Sequence, residues 1–153
     1  MYIADNNCIR KVYSIGLLKK VSTMTGDSLN EGHVDGHVSV AKFHYPRGLV
    51  KDTAGNLYVA GFSNGFYKTA KYDRPKSIVF AKDGLLYVAD VNNNRIRRID
   101  MRGNVKTYAE SSQGYANGLA LGSKFVRQAH LVQNSTGAIF VADWNYVIRK
   151  IFY

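Results

Sequence analysis

One four-residue signature recurs along the chain and limits its fold more than any other feature: Tyr2-Ile-Ala-Asp5, Tyr58-Val-Ala-Gly61, Tyr87-Val-Ala-Asp90 and Phe140-Val-Ala-Asp143. Three copies follow a glycine three residues earlier, at Gly55, Gly84 and Gly137. Three are trailed by an apolar-basic-basic-apolar stretch, Ile9-Arg-Lys-Val12, Ile96-Arg-Arg-Ile99 and Ile148-Arg-Lys-Ile151. A second box lies between the copies, as Gly32-His-Val-Asp-Gly36, Gly61-Phe-Ser-Asn-Gly65 and Gly114-Tyr-Ala-Asn-Gly118. Each second glycine is followed seven residues later by an aromatic, at Phe43, Tyr72 and Phe125. Each aromatic in turn stands 15 residues before the next signature, at Tyr58, Tyr87 and Phe140. Fixed spacings met three times over mark a repeat architecture.

The apolar runs are four to six residues long and cut by Asp, Asn and Gly, which is the pattern of strands and tight turns. Tyr 11, Phe 7 and many β-branched residues point the same way. One unit reads as a strand over Gly48–Lys51, a turn over Asp52–Gly55 and a strand over Asn56–Ala60. In the complete unit, turns at Asp90–Asn94 and Asp100–Gly103 frame a third strand over Arg95–Ile99 and lead to a fourth over Val105–Tyr108. Four antiparallel strands in a unit of this length make a β-propeller blade. Apolar residues at consecutive strand positions fit that reading, because both faces of a blade pack on neighbours.

The sequence resembles the NHL-repeat family of propellers through Arg74-Pro-Lys-Ser-Ile78, Gly84-Leu-Leu-Tyr-Val-Ala-Asp90, Asn93-Asn-Arg-Ile-Arg-Arg-Ile99 and Gly103-Asn-Val-Lys-Thr107. WD and kelch signatures are absent. The resemblance implies an all-β fold, an incomplete, open β-propeller of four-stranded antiparallel blades. The signature recurs at intervals of 56, 29 and 53 residues between Tyr2, Tyr58, Tyr87 and Phe140. The short middle interval predicts a unit without its outer two strands. The expected organisation is one NHL-repeat region over residues 1–153 that starts and ends inside a blade, with units at 1–26, 43–61 (truncated), 72–109 and 125–153. Twelve strands, three blades' worth, are about half of a propeller that closes with some six blades, so a fragment of a larger propeller protein is expected.

Several letter patterns suggest chemistry until they are aligned with the repeat. Gly61-Phe-Ser-Asn-Gly65 matches a nucleophile elbow, but Val34 and Ala116 stand where Ser63 does, and no helix pattern follows. His33, Asp35 and His37 alternate as metal ligands do, yet they align with Phe62 or Tyr115, Asn64 or Asn117, and Phe66 or Leu119. That alignment makes them loop and turn residues. His44 stands elsewhere in the repeat, and His130 aligns with Gly48 and Ser77 at the start of an innermost strand. Asp5, Asp90 and Asp143 close the second strand while Arg10, Arg97 and Arg149 open the third. These are expected to pair across the hairpin or to hold the turn backbone. One cysteine, Cys8, excludes a Cys-based zinc site. No catalytic, cofactor or metal residue is expected, no cofactor is called for, and the chain reads as a non-enzyme.

Binding is therefore expected on the loops between second and third strands, where a regular scaffold places recognition. These carry Asn6, Asn7, Asn92, Asn93, Asn94, Arg95, Trp144, Asn145 and Tyr146. The net charge of +10 admits an acidic protein, a nucleic acid or an anionic membrane as partner. Its visible carriers, Arg10, Lys11, Lys19, Lys20, Arg97, Arg98, Arg102, Lys106, Arg149 and Lys150, fall mainly on outer strands, with only Arg95 on the recognition loops. A protein partner is therefore expected, with single-stranded RNA as the weaker alternative and propeller-type hydrolase or lyase chemistry as the enzymatic one. Open blade edges predict self-association. No apolar run reaches the roughly 18 residues of a membrane span, and the residues from Met1 onward lack a signal-peptide pattern. No compartment follows.

Overall fold

Each Val-Ala signature forms the second strand of a sheet in the computed structural model, which describes residues 1–32, 34, 37, 39–61, 72–110, 127, 130–144 and 146–151. Among the described residues twelve strands follow in order: β1 (Tyr2–Asp5), β2 (Cys8–Ile15), β3 (Leu18–Gly26), β4 (Pro46–Lys51), β5 (Leu57–Gly61), β6 (Pro75–Phe80), β7 (Leu86–Asp90), β8 (Arg95–Ile99), β9 (Val105–Glu110), β10 (His130–Gln133), β11 (Ile139–Asp143) and β12 (Val147–Ile151). They pair, all antiparallel, into sheets β1-β2-β3, β4-β5, β6-β7-β8-β9 and β10-β11-β12. The described residues contain no helix, and so none long and apolar enough to cross a membrane.

The turns form where Asp or Asn side chains cap their own backbone. Asp52 accepts from the backbone and side-chain amides of Asn56 at 2.8 Å each and from the Tyr58 hydroxyl at 3.1 Å. Asp100 holds Asn104 through both amides in the same way. Asn134 accepts from the N–H groups of Thr136 and Ala138. In the repeat between Asp52 and Asn134, Ala81 holds that position, and Asp83, two residues on, takes the Leu85 N–H and the Tyr87 hydroxyl. These donors hold the carboxyls of Asp52 and Asp100 below the usual range, the Asn side-chain amide contributing most in each case.

The repeat extends to strand register. Gly48, Ser77 and His130 face Ala60, Ala89 and Ala142. A bulge interrupts the first strand at Pro46/Gly48 and again at Pro75/Ser77. Another interrupts the outer ladder at Ile9/Arg10 and at Ile96/Arg97.

The sheets are stacked through their inner strands. β1 lies against β4, β4 against β6, and β6 against β10. A Cβ on Gly48 would stand 3.0 Å from the Ile78 nitrogen and 3.1 Å from both the Lys76 oxygen and the Ser77 Cα, so a side chain there would have to push the β6 backbone back by a few tenths of an ångström. One sheet further on, the Ser77 hydroxyl accepts the Leu131 N–H at 3.0 Å. The core occupies the seam that follows, with Tyr87, Ala89, Val91, Ile96 and Ala109 packed against Leu131, Ile139, Val141 and Ile151. Every residue of β7 is buried, whereas β11 alternates buried and half-buried. Both strands are apolar at four consecutive positions, the pattern of strands covered on both faces, but only β7 has both faces covered.

Candidate interaction rim

The turns between second and third strands lie at one end of the sheets, and most of their side chains are engaged within the chain. Asn93 donates to both Asp90 carboxylate oxygens, at 3.0 and 2.9 Å. Asn92 ties its turn to the segment before β6, donating to the Asp73 carboxylate from its side chain and to the Asp73 carbonyl from its backbone. Asn6 donates to the Ser28 carbonyl. Arg95 is half-buried at the start of β8, facing Asp90 in the ladder's outermost pair. Trp144 and Tyr146 stay exposed. Asn145 lies outside the described residues, as do His33, Asp35, Ser63 and Phe125.

Two of these asparagines bridge sheets. Asn7, itself buried, accepts the Tyr45 N–H at 3.2 Å, and Asn94 accepts the Arg127 N–H at 3.3 Å. Both donors precede the first strand of the following sheet. β4 and β10 are thus each hung from the turn of the sheet before them.

The Asp–Arg pairs form in all three sheets that hold both residues. Arg10 and Asp5 stand 3.1 Å apart, Arg149 and Asp143 3.2 Å, and Arg97 and Asp90 3.8 Å. Arg97 also donates to Thr107 Oγ1 at 2.8 Å. Burial pushes the Asp90 carboxyl above its ordinary range despite the N–H groups of Asp73 and Asn93 and the Arg97 charge that oppose it. Burial likewise pushes the Cys8 thiol up and the Tyr72 hydroxyl up to about 12. No group of three His, Cys, Asp or Glu residues converges among the described residues. His37 bonds Ser39 at 2.9 Å, and His44 lies 3.0 Å from Glu31. His130 is exposed at the start of β10.

Cations other than Arg95 also stand at this rim. Tyr45, Arg74 and Arg127 hold one repeated position just before a first strand, and all three have left-handed backbone, with φ of 46°, 52° and 49°. Side-chain-bearing residues adopt it rarely, and here it turns two guanidinium groups onto the rim. Arg74 and Arg127 line a cleft of about 310 Å³ with Val91, Asn92 and Asn94. Arg74 continues into a second cleft of about 380 Å³ with His44, Tyr45, Arg47 and Lys76. Trp144 reaches across the seam, with the Arg127 guanidinium 5.2 Å and the Lys76 ammonium 5.6 Å from its ring centre. Sequence reasoning missed Arg47, Arg74, Lys76 and Arg127 because the signal it followed, the turn after each signature, sits one connection away. The clue available was the basic residue before β6 and β10 at a position shared with Tyr45.

Stacked antiparallel sheets joined through their inner strands define an open arc of β-propeller blades. Residues 72–99, spanning β6 to β8, match the family model of the NHL repeat, so the chain carries an NHL repeat at its best-buried blade. No curated protein matches the chain. Among solved structures it is similar to virginiamycin B lyase from Staphylococcus aureus, with 15% identity and a TM-score of 0.49 over 69% of this chain and 40% of that one. It is also similar to an auxiliary nutrient binding protein from Bacteroides thetaiotaomicron, with 24% identity and a TM-score of 0.41 over 99% of this chain and 34% of that one. The chain spans less than half the length of either structure.

Proposed function

We propose that the chain is a non-catalytic NHL-type scaffold, part of a larger propeller, whose blade-rim loops bind an acidic segment of a protein partner. The observation that carries this reading is the cleft where Arg74 and Arg127 converge beside Asn92 and Asn94. Two guanidinium groups, each able to grip a carboxylate through a fork of donors, suit Asp and Glu side chains. Trp144, which lies against Arg127, and Tyr146, two residues on, are exposed aromatics of the kind that anchor interfaces. Single-stranded RNA fits less well, because it is held by stacking successive bases on open aromatic faces, and of Tyr45, Trp144 and Tyr146 only Tyr146 is fully exposed. The Trp144 ring already carries two cations, and the Tyr45 ring packs on His44 at 4.9 Å.

Fluorescence anisotropy with a labelled poly-glutamate peptide and a labelled single-stranded RNA separates the two. The peptide is expected to bind, and Arg74→Ala with Arg127→Ala to weaken it at least ten-fold, since each charge-assisted contact supplies about 1.5–3 kcal/mol. RNA binding is expected to collapse as salt rises, as contacts to phosphate alone do. Sequence-selective RNA binding at physiological salt, or metal-dependent hydrolysis or elimination by the purified chain, contradicts the reading.

A further inference from the structure

The hairpin β2–β3 is longer than its counterpart in the complete blade. Ile9 and Ile96 occupy the same bulged position, which aligns the pair Val12↔Val21 with Ile99↔Val105. There the ladder of β8 and β9 ends, whereas β2 and β3 continue through Tyr13↔Lys20, Ser14↔Lys19 and Ile15↔Leu18. Three further pairs extend the ribbon by about 10 Å. A two-residue turn, Gly16-Leu17, with Gly16 at φ 58°, closes it. This tip stands at the opposite end of β2 from Asn6 and Asn7, away from the interaction rim.

The tip is apolar and uncovered: Ile15, Leu17 and Leu18 are all exposed, Leu17 completely. Because alternate residues share a face of a ribbon, Ile15 and Leu18 are followed on the same face by Tyr13 and Lys20, then by Lys11. Lys19, on the other face, donates to Ser14 Oγ at 2.7 Å. Lys11, Lys19 and Lys20 are exposed, and no acidic residue occurs from Asn6 to Gly26. From the tip backwards the order is Ile15 with Leu18, then Ser14 with Lys19, then Tyr13 with Lys20, and Lys11 two pairs further on.

We propose that this hairpin anchors the chain to an anionic lipid bilayer by inserting Ile15, Leu17 and Leu18 below the headgroups while Lys11, Lys19 and Lys20 engage them. The turn and the Ile15–Leu18 pair project roughly 5 Å beyond the Ser14–Lys19 pair, the shallow end of the range that interfacial segments reach, and Tyr13 and Lys20 stand one pair further back, at the level aromatic residues favour. The lysines supply the charge that an anionic leaflet attracts. A protein groove is the poorer occupant: three apolar side chains at one hairpin tip fall far short of the roughly 800 Å² per partner that a stable protein interface buries.

Vesicle co-sedimentation of the full chain tests this, with phosphatidylcholine alone against phosphatidylcholine mixed with phosphatidylserine. Binding is expected only to the mixed vesicles. Leu17→Ser with Leu18→Ser, which preserves every charge, is expected to reduce it at least ten-fold. Lys19→Ala with Lys20→Ala is expected to reduce it about ten-fold or more. The side chains are exposed, so both variants should keep the thermal transition of the parent chain. Undiminished binding of the leucine variant would assign adsorption to net charge alone and overturn insertion. Absence of binding to anionic vesicles at low ionic strength overturns the anchor altogether and leaves the tip to a protein partner.

Discussion

Asp5–Arg10 and Asp143–Arg149 are the same pair in the repeat, placed in different surroundings. In the first, both side chains are nearly half exposed, at 47% and 41%; in the second they are 0% and 10% exposed. An exposed pair gains little over its hydration and is worth up to about 1 kcal/mol. Removing the cation from a buried pair leaves a desolvated carboxylate and costs roughly 3–5 kcal/mol. Arg149→Ala is therefore expected to lower the urea midpoint strongly, while Arg10→Ala barely moves it. Equal shifts in the two midpoints would show that burial does not govern these pairs. The pairing itself was legible, because Asp and Arg recur at fixed places around a short turn. The stabilising environment was not, since burial depends on which sheet lies alongside.

At the scale of elements, turn chemistry and strand pattern carried the reading of the sequence furthest. The third strand spans Arg95–Ile99 as its apolar-basic alternation predicts, and the first strand begins at Pro46 rather than Gly48. The difference has a physical reason: a bulge between Pro46 and Gly48 admits proline, which lacks a ladder donor, at the strand's start. The extended β2–β3 hairpin was hidden because its turn, Gly16-Leu17, contains no Asn or Asp to mark it. The basic rim was hidden because Arg74 and Arg127 reach it through left-handed backbone that no local pattern announces. Inner-strand packing offers a test at this scale. Gly48→Ala brings a methyl against three backbone atoms at 3.0–3.1 Å, and such overpacking costs about 1–3 kcal/mol. A midpoint unchanged in chemical denaturation would mean that β4 and β6 can separate freely.

For the whole molecule, burial is strongest in the blade of β6 to β9 and falls away along the arc. Tyr87 is 1% exposed, while Val132 and Ile148 in the neighbouring sheet are 60% and 75% exposed. Ile3 and Val21 are also exposed in the first sheet. A blade is stabilised by covering both faces, and a face left wet forfeits about 25 cal/mol per Å² of apolar surface. A few hundred Å² amounts to roughly 5–10 kcal/mol on that scale, comparable with the entire net stability of a domain, roughly 5–15 kcal/mol. Among the described residues β5 also has no strand on its outer edge, and an unpaired edge invites another chain. The 153-residue chain is therefore expected to associate through these faces and edges. Sedimentation velocity over a hundred-fold range of concentration tests the open arc most directly. An open arc predicts a sedimentation coefficient that rises with concentration. A single folded monomer, unchanged across that range, would contradict it.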